Sequence, residues 1–195
     1  MRFLFVFIAV SLFAATSYAQ DAKSGNLDEG RYLGYFCSTC HGPTGYGPGE
    51  HIPYIAGQSA EYLENALIEM RDKKRYATLM QLIAQGYSDS DIKKIAQYYA
   101  SQPWQNNTEK VNKKLAKQGK KIADEKCVDC HGEKGLADNY TPRIAGLPSS
   151  ALYYSLLEYK ENKRNMDEGG ASMALVKDLS DEELKALAEY YSSLK

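Results

Sequence analysis

Cysteine and histidine recur in the same five-residue order at two places in this chain of 195 residues. The first copy provides Cys37, Cys40 and His41, and the second provides Cys127, Cys130 and His131, 90 positions further on. Two thiols separated by two residues can form thioether bonds to the two vinyl groups of one haem, and the adjoining histidine can bind its iron. The pattern therefore predicts two covalently bound haem c groups, each with a histidine as an iron ligand.

Three other uses of paired cysteines fit the sequence less well. Two disulfides could form in an exported protein, with three possible connectivities, but disulfides give no reason for a histidine after each pair. A zinc site usually has its second cysteine pair within about 15 to 20 residues, whereas Cys40 and Cys127 are 87 positions apart. A thioredoxin-like redox motif requires a preceding strand, and no strand pattern precedes either pair.

Each iron needs a second axial ligand or has an open position. A filled position indicates an electron carrier, and an open one indicates a catalyst. The only histidine outside the two motifs is His51, so at most one iron could be held by two histidines. Because His51 lies in the glycine- and proline-rich segment from Gly42 to Pro53, we interpret it as a loop or surface residue. The remaining candidates are methionines.

Two methionines occupy matching positions in the two halves. Met80 precedes Ser88 by eight residues and Met173 precedes Ser180 by seven, whereas Met70 and Met166 have no methionine counterpart. A lone methionine is usually core filling, but a matched pair favours ligation. We predict His41 with Met80 and His131 with Met173, with Met166 as the rival of Met173. Thioether ligation raises the reduction potential, as suits a high-potential carrier.

An internal repeat extends well beyond the cysteines and predicts two copies of one unit. Recurring segments are Ile55, Ala56, Gly57 with Ile144, Ala145, Gly146; Lys74, Arg75 with Lys163, Arg164; and Tyr98, Tyr99 with Tyr190, Tyr191. Between Ser101 and Asn112 the helical pattern is interrupted by Pro103, Asn106, Asn107 and Thr108, typical of a linker. We predict domains at 20–104 and 105–195.

The readable elements of each unit are helical, which predicts an all-α fold. Before the first motif, the i, i+3, i+4, i+7 spacing of Glu29, Tyr32, Leu33 and Phe36 predicts an amphipathic helix, and Gly119, Ile122 and Ala123 repeat it weakly. Near each unit's end, Ser88 with Asp91 and Ser180 with Glu183 form capping boxes. The stripes that follow are Ile92, Ile95, Ala96, Tyr99 and Leu184, Leu187, Ala188, Tyr191.

Residues 1–19 have the features of a cleaved secretory signal peptide: a basic Arg2, an apolar run from Phe3 to Ala15, and small residues up to Ala19. We therefore expect a periplasmic protein without a transmembrane segment, leaving open peripheral membrane association. Residues 20–104 carry 8 basic and 10 acidic side chains, and residues 105–195 carry 15 of each. This near-neutral balance gives no indication of a nucleic-acid partner.

The units also resemble a known family. Tandem class I cytochrome c units, each with CxxCH, Ile-Ala-Gly, a distal methionine and a capped helix ending in paired aromatics, are similar to the di-haem cytochrome c4 family. Residues 77–88 are similar to the di-haem cytochrome subunit of sulfide-oxidising flavocytochrome c. The resemblance implies two haem domains related by a pseudo-twofold axis, with Met80 and Met173 as distal ligands. As a departure, Gly119 to Cys127 is one residue longer than Gly30 to Cys37.

Three functions are compatible with these features. We favour a periplasmic electron shuttle, not itself an enzyme, that carries single electrons towards a terminal oxidase, another cytochrome or another respiratory acceptor. The second is an electron-transfer subunit bound to a sulfide-oxidising flavoprotein. The third is a di-haem peroxidase-like enzyme, which requires one iron with an exchangeable ligand position and fails if both methionines bind.

Overall fold

The computed structural model describes Gly25 and residues 27–136, 140–164 and 174–195; the predicted signal peptide lies outside them. The helices are α1 (27–33), α2 (Ser38–His41), α3 (Ala60–Arg71), α4 (Thr78–Ala84), α5 (Asp89–Ala100), α6 (Lys113–Lys126), α7 (Val128–His131), α8 (Ser149–Lys160), α9 (174–176) and α10 (Asp181–Ser193). Extended pairing within the described ranges is limited to one isolated bridge. The all-α prediction is confirmed.

Helices α5 and α10 begin and pack as the sequence predicts. The Ser88 and Ser180 side chains accept from the backbone N–H of Asp91 and Glu183, whose carboxylates accept from the serine N–H groups, so both capping boxes are complete. The predicted apolar stripes are buried on both helices. In the first unit α3 packs on α4 and α5, and in the second α10 packs on α6 and α8.

Helix α1 buries a different face from the predicted one. Tyr32 and Phe36 are 82% and 62% exposed, whereas the buried positions are Gly30, Gly34 and Cys37. The reason is a close helix crossing: a Cβ built on Gly30 would lie 2.2 Å from the Lys94 carbonyl oxygen of α5. Glycine lets the two backbones meet, and the aromatic residues then face outward.

The same crossing recurs in the second unit. A Cβ on Gly119 of α6 would lie 1.9 Å from the Ala186 carbonyl oxygen of α10. Ala123, one turn after Gly119, is fully buried. The repeated elements of the two units thus share their packing as well as their sequence.

The two units meet through equivalent residues. Arg75 and Arg164, which occupy the same place in the repeat, form an isolated antiparallel bridge, and the Tyr76 N–H donates to the Lys163 carbonyl at 3.1 Å. Antiparallel pairing of a residue with its own repeat equivalent is what a local twofold axis produces. The pseudo-twofold axis expected from the family resemblance passes through this bridge.

A second group of contacts joins the units away from the bridge. The Gln58 amide donates to the Arg143 carbonyl at 2.7 Å and accepts from the Arg143 N–H at 3.0 Å. The guanidinium of Arg143 lies 4.1 Å over the ring of Trp104. Trp104 lies in the helix-free stretch 101–112, and its ring packs against the core of the second unit.

None of the helices within the described ranges is both long enough and apolar enough to cross a membrane.

Candidate functional site

A single helical turn presents each cysteine pair and its histidine. In the first unit this turn is α2, where Cys37 is the N-cap residue and the His41 N–H donates to the Cys37 carbonyl at 2.9 Å. In the second unit it is α7, and the His131 N–H donates to the Cys127 carbonyl at 3.0 Å. The turn places the two thiols that can attach a haem and the histidine that can bind its iron within five residues in each motif.

A backbone carbonyl fixes the orientation of each histidine. Nδ1 of His41 lies 2.9 Å from the Pro53 carbonyl oxygen, and Nδ1 of His131 lies 3.2 Å from that of Pro142. Because a carbonyl only accepts, Nδ1 must carry the proton, which leaves the Nε2 lone pair for a metal. Hydrogen bonding of this kind is the usual support for a metal-binding imidazole.

The environment of both histidines keeps them neutral. Burial lowers the pKa of His41 below its usual value, and the bond to Pro53 opposes this shift only in part. Burial likewise lowers the pKa of His131, against the opposing bond to Pro142. A neutral imidazole is the form that binds iron.

The four cysteines are free in this structure and differ in exposure. Cys37 is buried, and burial raises the pKa of its thiol to about 11. Burial also raises the pKa of Cys127, whereas Cys130 is exposed. In each unit the first cysteine is thus less exposed than the second: Cys37 is buried and Cys40 intermediate, and Cys127 is intermediate and Cys130 exposed.

The candidate methionine of the first unit lies on α4. Met80 is partly buried there, and its neighbours Leu79 and Leu82 are 55% and 69% exposed. Apolar side chains beside a thioether fit the face of a large apolar ring. Met173 and its rival Met166 lie outside the described residues.

His51 is exposed, as the sequence predicts for a loop residue. Its ring packs edge-to-face on Tyr154 of the other unit, with 5.4 Å between the centroids. His51 is thus an interface residue in this structure.

Sequence reasoning missed two kinds of supporting residue. Pro53 and Pro142, which orient the histidines, stand 89 positions apart, the offset of the repeat, so that recurrence could have identified them. The arginines of the bridge were recognised as repeated residues, but their burial was not expected. Arg75 is 6% exposed and Arg164 is 9% exposed.

The residues present fit a covalently bound haem in each unit. Each unit supplies two free thiols, a neutral imidazole held by its Nδ1 proton, and apolar side chains, which are the donor set that haem c requires. No group of three or more histidine, cysteine or acidic side chains able to hold a metal ion was found in the described part of the chain.

The known proteins to which this chain is similar are cytochromes. A family model described as cytochrome c matches residues 116–195. Cytochrome c4 of Pseudomonas aeruginosa is 28% identical over 182 residues, which are 88% of this chain and 90% of that protein. Cytochrome c-554(548) of Halomonas halodenitrificans is 48% identical over 69 residues, 34% of this chain and 83% of that protein. The cytochrome subunit of sulfide dehydrogenase from Chlorobaculum tepidum is 39% identical over 72 residues, 37% of this chain and 64% of that protein.

A solved structure extends the similarity to the arrangement of the two units. The crystal structure of reduced recombinant cytochrome c4 from Pseudomonas stutzeri matches with a TM-score of 0.78 and 25% identity, covering 86% of this chain and 98% of that chain. Together with the doubled haem-attachment turns, these relatives show a di-haem protein that acts in electron transfer. The chain belongs to the cytochrome c family, as a tandem member of its di-haem cytochrome c4 group with two covalently bound haem c groups.

Proposed function

We propose that this chain is a periplasmic carrier of single electrons, with His41 and Met80 as the axial ligands of one haem iron and His131 and Met173 as those of the other. The observation that carries the proposal is the repeated turn in which each histidine bonds a proline carbonyl through Nδ1. The proposed domains are 20–104 and 105–195, following a cleaved signal peptide at 1–19.

In this function the protein performs no bond chemistry. The bound haem groups supply the one-electron chemistry of their irons. The chain's own residues hold the imidazoles in one tautomer, surround the rings with apolar and tyrosine side chains, and keep the two units at a fixed distance. Ligand identity, burial and hydrogen bonding then set the potentials.

The ligand assignment is tested by removing each methionine from the holoprotein. We expect Met80→Ala and Met173→Ala each to lower the potential of one haem substantially within the roughly 0.8 V range that axial ligation spans. Each variant should also lose one methionine-to-iron charge-transfer band in the near infrared while keeping both haems attached. Met70→Ala and Met166→Ala are the matched controls, and an unchanged redox titration in Met80→Ala or Met173→Ala would show that the wrong sulfur was chosen.

We further propose that electron partners dock on an aromatic patch of the first unit, formed by Tyr32, Tyr35 and Phe36. These side chains are 82%, 78% and 62% exposed and lie within the five residues before Cys37, the first cysteine of the candidate haem site. In the second unit the positions of Tyr35 and Phe36 hold Glu125 and Lys126. Since both halves are nearly neutral, apolar contact is the available means of docking.

The docking proposal is tested by giving the first unit the residues of the second. Tyr35→Glu combined with Phe36→Lys should slow oxidation of the reduced protein by respiratory membranes of its own organism by about tenfold, the loss expected for about 1.4 kcal/mol of docking energy. Glu125→Gln combined with Lys126→Gln is the control at the equivalent site. Equal rates for the two double variants would contradict docking on the aromatic patch.

A second candidate function is that of an electron-transfer subunit in a sulfide-oxidising flavocytochrome complex. The similarity to the cytochrome subunit of sulfide dehydrogenase from Chlorobaculum tepidum favours it. It predicts copurification with a larger chain that contains FAD. A pull-down from the native periplasm separates the two, since a free carrier is recovered without a flavoprotein.

A further inference from the structure

Tyr99 and Tyr191 occupy the same place in the repeat, but their hydroxyl groups have different surroundings. The Tyr99 hydroxyl donates to the Gly34 carbonyl at 3.0 Å. Tyr191 is 4% exposed, and its buried hydroxyl has no hydrogen-bond partner among the residues that the structure describes. A buried polar group without a partner is uncommon in folded proteins and calls for a specific reason.

The extra residue of the second unit accounts for this difference. In the first unit α1 ends at residue 33, and Gly34 lies in the turn before Cys37. In the second unit α6 continues to Lys126. The counterpart of Gly34, four residues after the glycine of the helix crossing, is Ala123, whose carbonyl accepts from the Cys127 N–H at 2.9 Å. That carbonyl is thus engaged in the helix itself.

The side chain at this position also differs. A Cβ built on Gly34 would lie 3.1 Å from Cε2 of Tyr99, which is closer than an ordinary van der Waals contact. The same approach of Tyr191 to Ala123 would therefore meet the alanine methyl group. The tyrosine of the second unit cannot repeat the bond that Tyr99 makes to the backbone.

The sulfur of Cys127 lies beside the Tyr191 hydroxyl. The two side chains act on each other, although not at the geometry of a normal hydrogen bond. Burial and the Cys127 side chain raise the pKa of Tyr191, so its hydroxyl keeps its proton. Tyr190 and Asp124 act on Tyr191 more weakly, and the exposed Asp124 carboxylate is paired with Lys120 at 2.7 Å. The Cys127 sulfur is therefore the group best placed to accept.

We infer that the Tyr191 hydroxyl donates a hydrogen bond to the thioether sulfur that Cys127 forms with its haem, and that the first unit has no equivalent bond. A thiol can donate or accept, whereas a thioether sulfur has no hydrogen and only accepts. Because sulfur is a weak acceptor, the bond adds little to folding stability and acts mainly on the haem. This inference rests on haem attachment at Cys127 and is independent of the axial methionines and of the electron partner.

The bond makes the two haem sites inequivalent. A hydroxyl donor directs the positive end of its dipole at the sulfur and withdraws electron density from it. Because the oxidised haem has one more positive charge than the reduced haem, this effect opposes oxidation. Tyr191 thereby raises the reduction potential of the second haem, whereas the Tyr99 hydroxyl is already bonded to Gly34.

The test compares Tyr191→Phe with Tyr99→Phe in the di-haem protein, by resonance Raman spectroscopy of the thioether carbon–sulfur stretching modes and by spectroelectrochemical titration. We expect Tyr191→Phe to shift one carbon–sulfur mode and to lower the potential of one haem. Tyr99→Phe should leave the carbon–sulfur modes unchanged. Unchanged modes and potentials in Tyr191→Phe, or an equal shift of the same mode in Tyr99→Phe, would overturn the inference.

A measurement on the unaltered protein decides the question if Tyr191→Phe does not mature. Unfolding and refolding the holoprotein in heavy water replaces the hydroxyl hydrogen by deuterium, which should shift one carbon–sulfur mode. The absence of any such shift would reject the inference. Mass spectrometry counts the attached haem groups, and Met80 and Met173 are intact throughout, so failure here is distinct from failure of haem attachment or of the ligand assignment.

Discussion

At the scale of single residues, several tyrosines of the core form hydrogen bonds through their hydroxyl groups. The Tyr98, Tyr99 and Tyr87 hydroxyls donate to the carbonyls of Pro43, Gly34 and Leu33 at 3.0–3.1 Å. Each bond ties α5, or the segment before it, to the region around the first haem-binding turn. A buried tyrosine thereby serves as both apolar filling and a specific link.

Tyr99 and its repeat equivalent Tyr191 provide a matched pair for testing this role. The Tyr99 hydroxyl bonds Gly34, whereas the Tyr191 hydroxyl is buried beside Cys127 without a hydrogen bond of normal geometry. We expect Tyr99→Phe to lower the free energy of unfolding by about 1–2 kcal/mol and Tyr191→Phe to leave it nearly unchanged. Denaturant unfolding of both variants measures this, and equal losses would contradict it.

The thiols and histidines of the candidate site carry the clearest signal in the sequence. The thiols and histidines were predicted from spacing alone because haem attachment allows so little variation around the two cysteines. The supporting carbonyls of Pro53 and Pro142 were not, since a backbone acceptor has no side-chain signature. Their role became visible only when the chain was folded around His41 and His131.

At the scale of elements, the capping boxes give a pH dependence. Hydrogen bonds from the Ser88 side chain and N–H lower the pKa of Asp91. A carboxyl with a lower pKa in the folded state stabilises that state above its unfolded pKa of about 3.9, and this stabilisation is lost as the pH falls through the folded value.

We therefore expect Asp91→Asn to reduce stability at neutral pH and to have a shrinking effect on acidification. The stability difference from the unaltered protein should be full above about pH 5 and should shrink steadily as the pH falls below about 4. Thermal unfolding across this range measures it, with Glu133→Gln, an exposed turn residue, as the control. A difference that stays constant with pH would show that the carboxylate charge is unimportant to the cap.

The close helix crossings give a second prediction for the elements. Gly119→Ala should destabilise the protein by about 1–3 kcal/mol, because the added methyl group would overlap the Ala186 carbonyl and force α6 away from α10. Gly86→Ala is the control, since a Cβ there lies 3.5 Å from the Ile83 carbonyl oxygen. Chemical denaturation distinguishes them; a stabilised Gly119→Ala variant would mean that helix propensity outweighs the overlap.

The helices themselves were predicted well, except for the buried face of α1. Tyr32 and Phe36 are more apolar than Gly30 and Gly34, so hydrophobicity alone predicts that the aromatic side chains are buried. In the structure the two glycines contact α5 and the aromatic side chains are exposed. The close approach of two backbones depends on both helices. The apolar pattern of one helix therefore cannot show where a second helix will contact it. The repeat of Gly30 at Gly119 was the available signal.

At the scale of the whole molecule, the contacts between units were outside the reach of the sequence. The repeat predicted two copies, but the pairing of Arg75 with Arg164 and of Gln58 with Arg143 depends on how the copies are placed. Gln58 has Leu147 at its repeat position, 89 residues later. The contact between Gln58 and Arg143 therefore has no equivalent made by the repeated residues. A comparison of the two repeats does not reveal it.

Gln58 permits a test of how strongly the units are joined. Gln58→Ala removes two hydrogen bonds to Arg143 and should cost about 1–3 kcal/mol. Unfolding followed at each haem should then become less coincident, because the units unfold more independently. Gln118→Ala, on the exposed side of α6, is the control, and coincident transitions of unchanged midpoint in Gln58→Ala would show that other contacts hold the units together.

The position of Trp104 has a practical consequence, since it is the only indole in the chain and lies where the two halves join, beneath the guanidinium of Arg143. Nearby porphyrins absorb the light that an excited indole emits, so the intact protein should be almost dark when excited in the near ultraviolet. Because each half keeps its own haem, the emission should appear only when the chain unfolds and the indole moves away from both porphyrins, giving an optical reading of unfolding without any added label.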